Sequence, residues 1–170
     1  MPDTFELIAS STVGAGGAAT ISFTSIPSTY TDLQIVYSLR SDTGSAADNA
    51  EITFNGSTST YSSRRLYGSG SAAASDSSAP YTISSFIVGD GATANTFGNG
   101  FLYMPNYAGS TNKSYSIDAV NETNATGAFS GLYALLWATT SAITSIQFKP
   151  NGGTVFKQYS TAYLYGVKNA

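Results

Sequence analysis

The chain has no cysteine and no histidine among its 170 residues. Without Cys there is no disulfide framework, no thiolate zinc site and no thiol nucleophile. Without His, the usual base near neutral pH and the commonest metal ligand are missing. Neither a Ser-His-Asp nor a Cys-His arrangement can then be assembled. Charge is scarce as well. Only 10% of residues are Asp, Glu, Lys or Arg, against about a quarter in an ordinary soluble domain. Seven basic and ten acidic residues leave a net charge of −3, which argues against a nucleic-acid partner, since phosphate binding needs clustered Lys and Arg. No apolar run approaches the roughly 20 residues that span a bilayer. Met1-Pro2-Asp3-Thr4-Phe5-Glu6 has neither the basic nor the apolar part of a signal peptide. The expectation is a protein made in a cytoplasm, with no membrane partner.

What is present is Ser, Thr, Asn and Gly in abundance, with 12 Tyr and 9 Phe. Disordered chains are polar too, but they lack aromatic residues. The length suits one domain over residues 1–170 with one core and no need of staples. Asp32 to Ser41 is the clearest element: Leu33, Ile35, Tyr37 and Leu39 fall on one side, and a period of two means a strand. Strands are also expected over 4–9, 19–24, 49–54, 82–88, 100–104, 114–121, 144–149 and 161–167. Gly, Asn and Pro turns such as Asn55-Gly56, Asp90-Gly91, Pro105-Asn106 and Asn151-Gly152-Gly153 separate them. Residues 57–78 read as a polar loop holding at most a short strand over 63–67. Phe129, Leu132, Tyr133, Leu136 and Trp137 also fit a helix, but Gly131 weakens one and the surroundings are all β, so 128–138 is read as a strand. With no crossover helices, the expected fold is all-β: a jelly-roll-like antiparallel sandwich of 8–10 strands, a different Greek-key sandwich being second.

Candidate chemistry is sparse. Asp118 with Glu122, or Asp42, Asp48 and Glu51, supply carboxylates as a glycosidase would need, yet turns recruit Asp for their own backbone. Asp90 to Asn95 offers oxygen ligands without the dense carboxylates of a calcium loop. Gly68-Ser69-Gly70 and Gly89-Asp90-Gly91 lack the Gly-Lys-Ser/Thr of a phosphate loop. The chain is therefore read as no enzyme, with no catalytic residues, no metal site and no cofactor. Arg64-Arg65, the only adjacent basic pair, either clamps a carboxylate of a partner or sends one Arg out and one to an internal carboxylate. The segments 129–137 and 159–167 are apolar on both faces, as if the outer face were covered. Phe129, Tyr133, Trp137, Tyr159, Tyr163 and Tyr165 are accordingly the candidates for subunit contacts. The same rings would also suit a sugar platform. The Asn-x-Ser/Thr matches at Asn55, Asn112, Asn121 and Asn124 are what a Ser/Thr-rich chain yields by chance.

Four stretches carry a resemblance: ITFNG (52–56), YSSRRLYGSGS (61–71), MPNYAGSTNKSYSIDAV (104–120) and LWATTSAITSIQFKPNGGTVFKQYSTAYLYGV (136–167). They resemble a group of small tailed-phage virion proteins frequent in marine and cyanobacterial viruses. The most specific part is the Ile-Thr-Ser-Ile strand, the Gly turn and Tyr-Ser-Thr-Ala-x-Leu-Tyr-Gly. The resemblance implies a β-rich structural protein on the virion exterior with no catalytic residues. The first expectation is a capsid decoration or cement protein on the outer head, made in the host cytoplasm, a homotrimer whose partner is the major capsid protein or another virion protein. Binding only the assembled shell would favour that shell by mass action. The alternative is a tail-fibre or tail-tip adhesin domain that binds a host-surface glycan.

Overall fold

A computed structural model describes residues 4–78, 83–124 and 127–168. The readings placed on Met1 to Asp3 and on Thr82 lie outside these residues. The strands are β1 (Phe5–Thr12), β2 (Ile21–Phe23), β3 (Asp32–Leu39), β4 (Ala47–Phe54), β5 (Tyr61–Gly68) and β6 (Ala73–Ser78). They continue with β7 (Ile83–Val88), β8 (Gly98–Pro105), β9 (Lys113–Val120), β10 (Ser130–Trp137), β11 (Ile146–Pro150) and β12 (Thr161–Val167). No helix occurs among the described residues.

The strands form a wide sheet in the order β1-β12-β3-β8-β9-β10-β5-β6 and a narrow one in the order β2-β11-β4-β7. Every ladder is antiparallel. The quartets β1-β12-β3-β8 and β2-β11-β4-β7 have jelly-roll order, the chain passing from one sheet to the other at β1→β2, β2→β3, β3→β4, β4→β5, β6→β7, β7→β8, β10→β11 and β11→β12. Two hairpins are added to this frame, β9-β10 after β8 and β5-β6 beyond them, and they widen one sheet alone. That is why there are twelve strands and not eight to ten.

The core follows from the period of two. Leu33, Ile35, Tyr37 and Leu39 of β3 point inward, with Leu102 and Met104 of β8 and Ala162 and Leu164 of β12. Ile21, Ile52, Phe54, Ile146 and Phe148 face them from the narrow sheet. Tyr37 is too large for a plain layer. Its ring lies across β8 over Gly100, where an added Cβ would come within 2.0 Å of it, and its hydroxyl bonds Ser85.

The added strands reach beyond the narrow sheet, whose edge β7 packs across β8, β9, β10 and β5. Aromatic rings fill what remains. Phe54, Tyr61, Tyr115 and Trp137 form one cluster, with Tyr61 stacked on Trp137 at 6.2 Å. Tyr67, Phe86, Phe129 and Tyr133 form another, with Phe86 stacked on Phe129 at 4.9 Å.

The structure corrects the reading of residues 57–78 as a loop. They hold the β5-β6 hairpin, with Gly68-Ser69-Gly70 at its turn and Ser69 N–H donating to Ala72 O. Residues 130–137 are strand β10 and not a helix. Gly131 sits there on the inner face, its missing side chain leaving room for Phe86.

Candidate functional site

Residues paired across an antiparallel ladder share a face. On the outer face of the wide sheet the registers place Leu66, Leu132, Asp118, Phe101, Val36 and Tyr163 in one continuous row over six strands. Five steps between strands make that row roughly 24 Å long. Leu66 is 56% exposed, Leu132 57%, Phe101 40% and Val36 38%, so none of the described residues covers these four. The parallel row on one side runs Arg64, Ala134, Ser116, Tyr103, Gln34, Tyr165. On the other side Ser130, Val120, Asn99, Ser38 and Thr161 follow one another. An apolar band thus runs between more polar rows. A depression of about 420 Å³ lies in it, lined by Arg64, Leu66, Phe101, Asp118, Leu132 and Ala134.

Two charges stand in this depression. Arg64 is exposed, and its Nη1 donates only to the neighbouring Ser63 carbonyl at 3.0 Å. Asp118 is exposed and accepts no hydrogen bond among the described residues. Neither makes an ion pair among the described residues. Arg65, its side chain projecting to the other face, is bound to Asp76 of β6 at 2.7 Å, and its guanidinium lies 4.7 Å from the Tyr67 ring centre. The pair therefore splits: Arg65 serves its own chain and Arg64 faces solvent.

The six rings expected at subunit contacts separate likewise. Tyr133 and Trp137 are each 4% exposed and belong to the two aromatic clusters, so their rings are not offered to a neighbour. Phe129 is half-buried against Phe86. Tyr163 and Tyr165 lie half-buried on the outer face. Tyr159 lies in the turn before β12 with its side chain 66% exposed. The residues the sequence did not single out are Leu66, Phe101, Leu132 and Val36, although Leu132 lies inside the segment noted as apolar on both faces.

Apart from Asp118, the candidate carboxylates have their own partners. Asp42 accepts from the Thr154 and Val155 amides at 2.6 and 3.0 Å and from Thr154 Oγ1, and these bonds hold its carboxyl below the ordinary value. Asp48 accepts from Ser41 Oγ at 2.6 Å and from the Gly152 amide at 2.8 Å. Glu122 accepts from the Asn124 amide. Asp90, proposed above only as an oxygen donor of a turn, is shared between Arg40 at 3.2 Å and Lys157 at 3.1 Å. Asn121 is fully buried and ties the Phe129 amide to the Ile87 carbonyl, a structural duty. Lys113 is buried too, its ammonium satisfied by the carbonyls of Gly109 and Thr111.

No family model matches the chain, and no curated protein matches it either. Among solved structures it is similar to the CBM2 module of an evolved Dit from Lactobacillus casei BL23 phage J-1. The identity is 14%, over 89% of this chain and 70% of that one, with a TM-score of 0.27. A likeness that low carries neither topology nor function across.

Proposed function

We propose that the chain is a non-catalytic structural subunit of a tailed-phage virion, a decoration protein of the outer head that docks through the apolar band of its wide sheet. The observation that carries this reading is the uncovered row from Leu66 to Tyr163. The residue resemblance to small virion proteins gives the setting. Exposed apolar residues on four of the six strands, Leu66, Leu132, Phe101 and Val36, mark an interaction surface. The occupant assigned to the band is a further copy of this chain. The band holds one cation and one anion without ion-pair partners, Arg64 and Asp118, and another copy brings one of each. A band that pairs with itself closes a two-fold dimer, and the trimer expected from the sequence, seated on the major capsid protein, needs a second, heterologous contact.

Sedimentation velocity over a concentration series tests the contact. The native protein associates, and Leu66→Ser with Leu132→Ser is monomeric at an unchanged melting temperature. Arg64→Asp weakens association, and adding Asp118→Arg restores it. A native protein that stays monomeric at every concentration refutes the reading. A density map of the intact particle then assigns head or tail.

The second reading, a tail-fibre or tail-tip adhesin domain binding host-surface glycan, is favoured by one observation: exposed Tyr159 beside a small pocket of mixed polar and apolar lining.

A further inference from the structure

Tyr159 is the most exposed large hydrophobic side chain among the described residues, and its backbone sits at φ 72°. It occupies the third position of a turn closed by the Ser160 amide on the Lys157 carbonyl at 3.1 Å. A positive φ there is the type II arrangement, which calls for Gly or Asn. A bulky residue in that conformation is strained and persists only where its surroundings over-determine it. Here they do. The Tyr159 amide bonds Val13 O at 2.9 Å, Val13 N–H returns to Ser160 O, and Lys157 N–H bonds Arg40 O at 2.8 Å. Ser160 Oγ accepts from the Arg40 amide at 3.1 Å. The residue is 66% exposed, so its ring returns little burial for the strain it causes. A large side chain that packs this little on a backbone it does not suit points to a contact outside the chain.

What lies beside the ring is a pocket of about 210 Å³ lined by Asp90, Asn95, Phe97, Lys157, Gln158 and Tyr159. That is smaller than the roughly 300 Å³ at which drug-sized sites begin, so it suits one small ring. Its loop is rigid. Buried Arg40 donates to Asp90, Ala92, Thr93 and Thr96 and locks residues 90–96 in place. Asp90 then joins this loop to Lys157. Asp90 is thereby shared by both cations, and Arg40 is further satisfied by backbone carbonyls. The amides of Asn95 and Gln158 make no hydrogen bond among the described residues, so they stand as free neutral groups that both donate and accept. An exposed aromatic face beside neutral amides matches a molecule with one apolar face and hydroxyls at its rim.

From this geometry we infer that the pocket beneath Tyr159 binds a neutral pyranose of a surface saccharide, its ring stacked on Tyr159 and its hydroxyls bonded to Asn95 and Gln158. The inference rests on the adhesin reading and uses a surface separate from the apolar band.

The test is an array of immobilised neutral and acidic bacterial-surface saccharides probed with the full chain, together with melting temperatures. The native protein gives signal on neutral saccharides that persists in high salt. Tyr159→Gly and Tyr159→Asn each lose that signal roughly tenfold or more, with melting temperatures equal to or above the native value. Tyr159→Trp keeps it. Leu66→Ser with Leu132→Ser also keeps it, which separates this site from the sheet-face contact. A lowered melting temperature in Tyr159→Gly makes the ring a structural element and overturns the inference. So does an array without signal, or signal on acidic saccharides alone that salt abolishes.

Discussion

At the scale of single residues, alternation told which side chains share a face but not which face is inner. In β10 both sets are apolar: Gly131, Tyr133, Leu135 and Trp137 turn in, while Leu132, Ala134 and Leu136 turn out. Polarity had nothing to distinguish them, and the rings of Tyr133 and Trp137 were assigned to neighbouring subunits when they fill the interior. The difference is measurable by urea denaturation. Trp137→Ala removes a ring packed on Phe54 and Tyr61 and costs about 3–5 kcal/mol. Leu132→Ala, five residues away on the outer face, stays within about 0.5 kcal/mol of native. Gly100 was read only as the start of a strand. It is glycine because the Tyr37 ring occupies the place of its side chain. Gly100→Ala forces that ring off Ser85 and destabilises by about 1–3 kcal/mol, as overpacking does.

Among elements, legibility tracks burial. Strand β3 was plain because four apolar residues alternate with polar ones. The β5-β6 hairpin was read as a loop because Ser, Gly and Ala dominate it, and β6 is exposed over 73–77. Its pairing is held by the backbone ladder and by Arg65 with Asp76, neither of which leaves a hydrophobic period in the sequence. Since that ion pair is substantially solvated, Asp76→Ala lowers global stability by no more than about 1 kcal/mol. Hydrogen exchange reads the local effect: β6 amides exchange fastest of the strands and faster again in Asp76→Ala, while β3 and β8, between paired neighbours, exchange slowest. Equal protection of β6 and β3 would contradict this account.

For the molecule as a whole, the jelly roll was legible as a class from short alternating strands without crossover helices. The sheet order was not, because it depends on pairings such as β1 with β12 that no local pattern records. The missing imidazoles and thiols have a whole-molecule consequence too. No side chain has an ordinary titration point between the carboxylates and the phenols, so the melting temperature is flat from about pH 5 to 9. On the acid side, Lys157 and Arg40 hold the Asp90 carboxyl below its usual value, as turn hydrogen bonds do for Asp42. What they contribute is present above the ordinary carboxyl value and is lost as the pH falls through the lowered ones. On the alkaline side, burial raises the Tyr133 hydroxyl to about 12 and pushes Tyr37 and Tyr115 up as well. Their contribution is whole below the ordinary phenol value of about 10 and is lost as the pH climbs through the raised values. Burial lowers the Lys113 ammonium, which opposes this trend, but one amine faces several phenols. Thermal melts across pH 4–12 check the profile, and a midpoint near 7 would refute it.

Eight strands lie over four, so part of the wide sheet is roofed by rings instead of by a second ladder of hydrogen bonds. The two flanks should then differ in compliance. The double-sheet side is braced by backbone on both layers, whereas the ring-filled side yields first when squeezed, because compression acts where packing leaves void. Pressure-dependent NMR shifts concentrated in β5, β9 and β10 would be the mark of that lopsided stiffness.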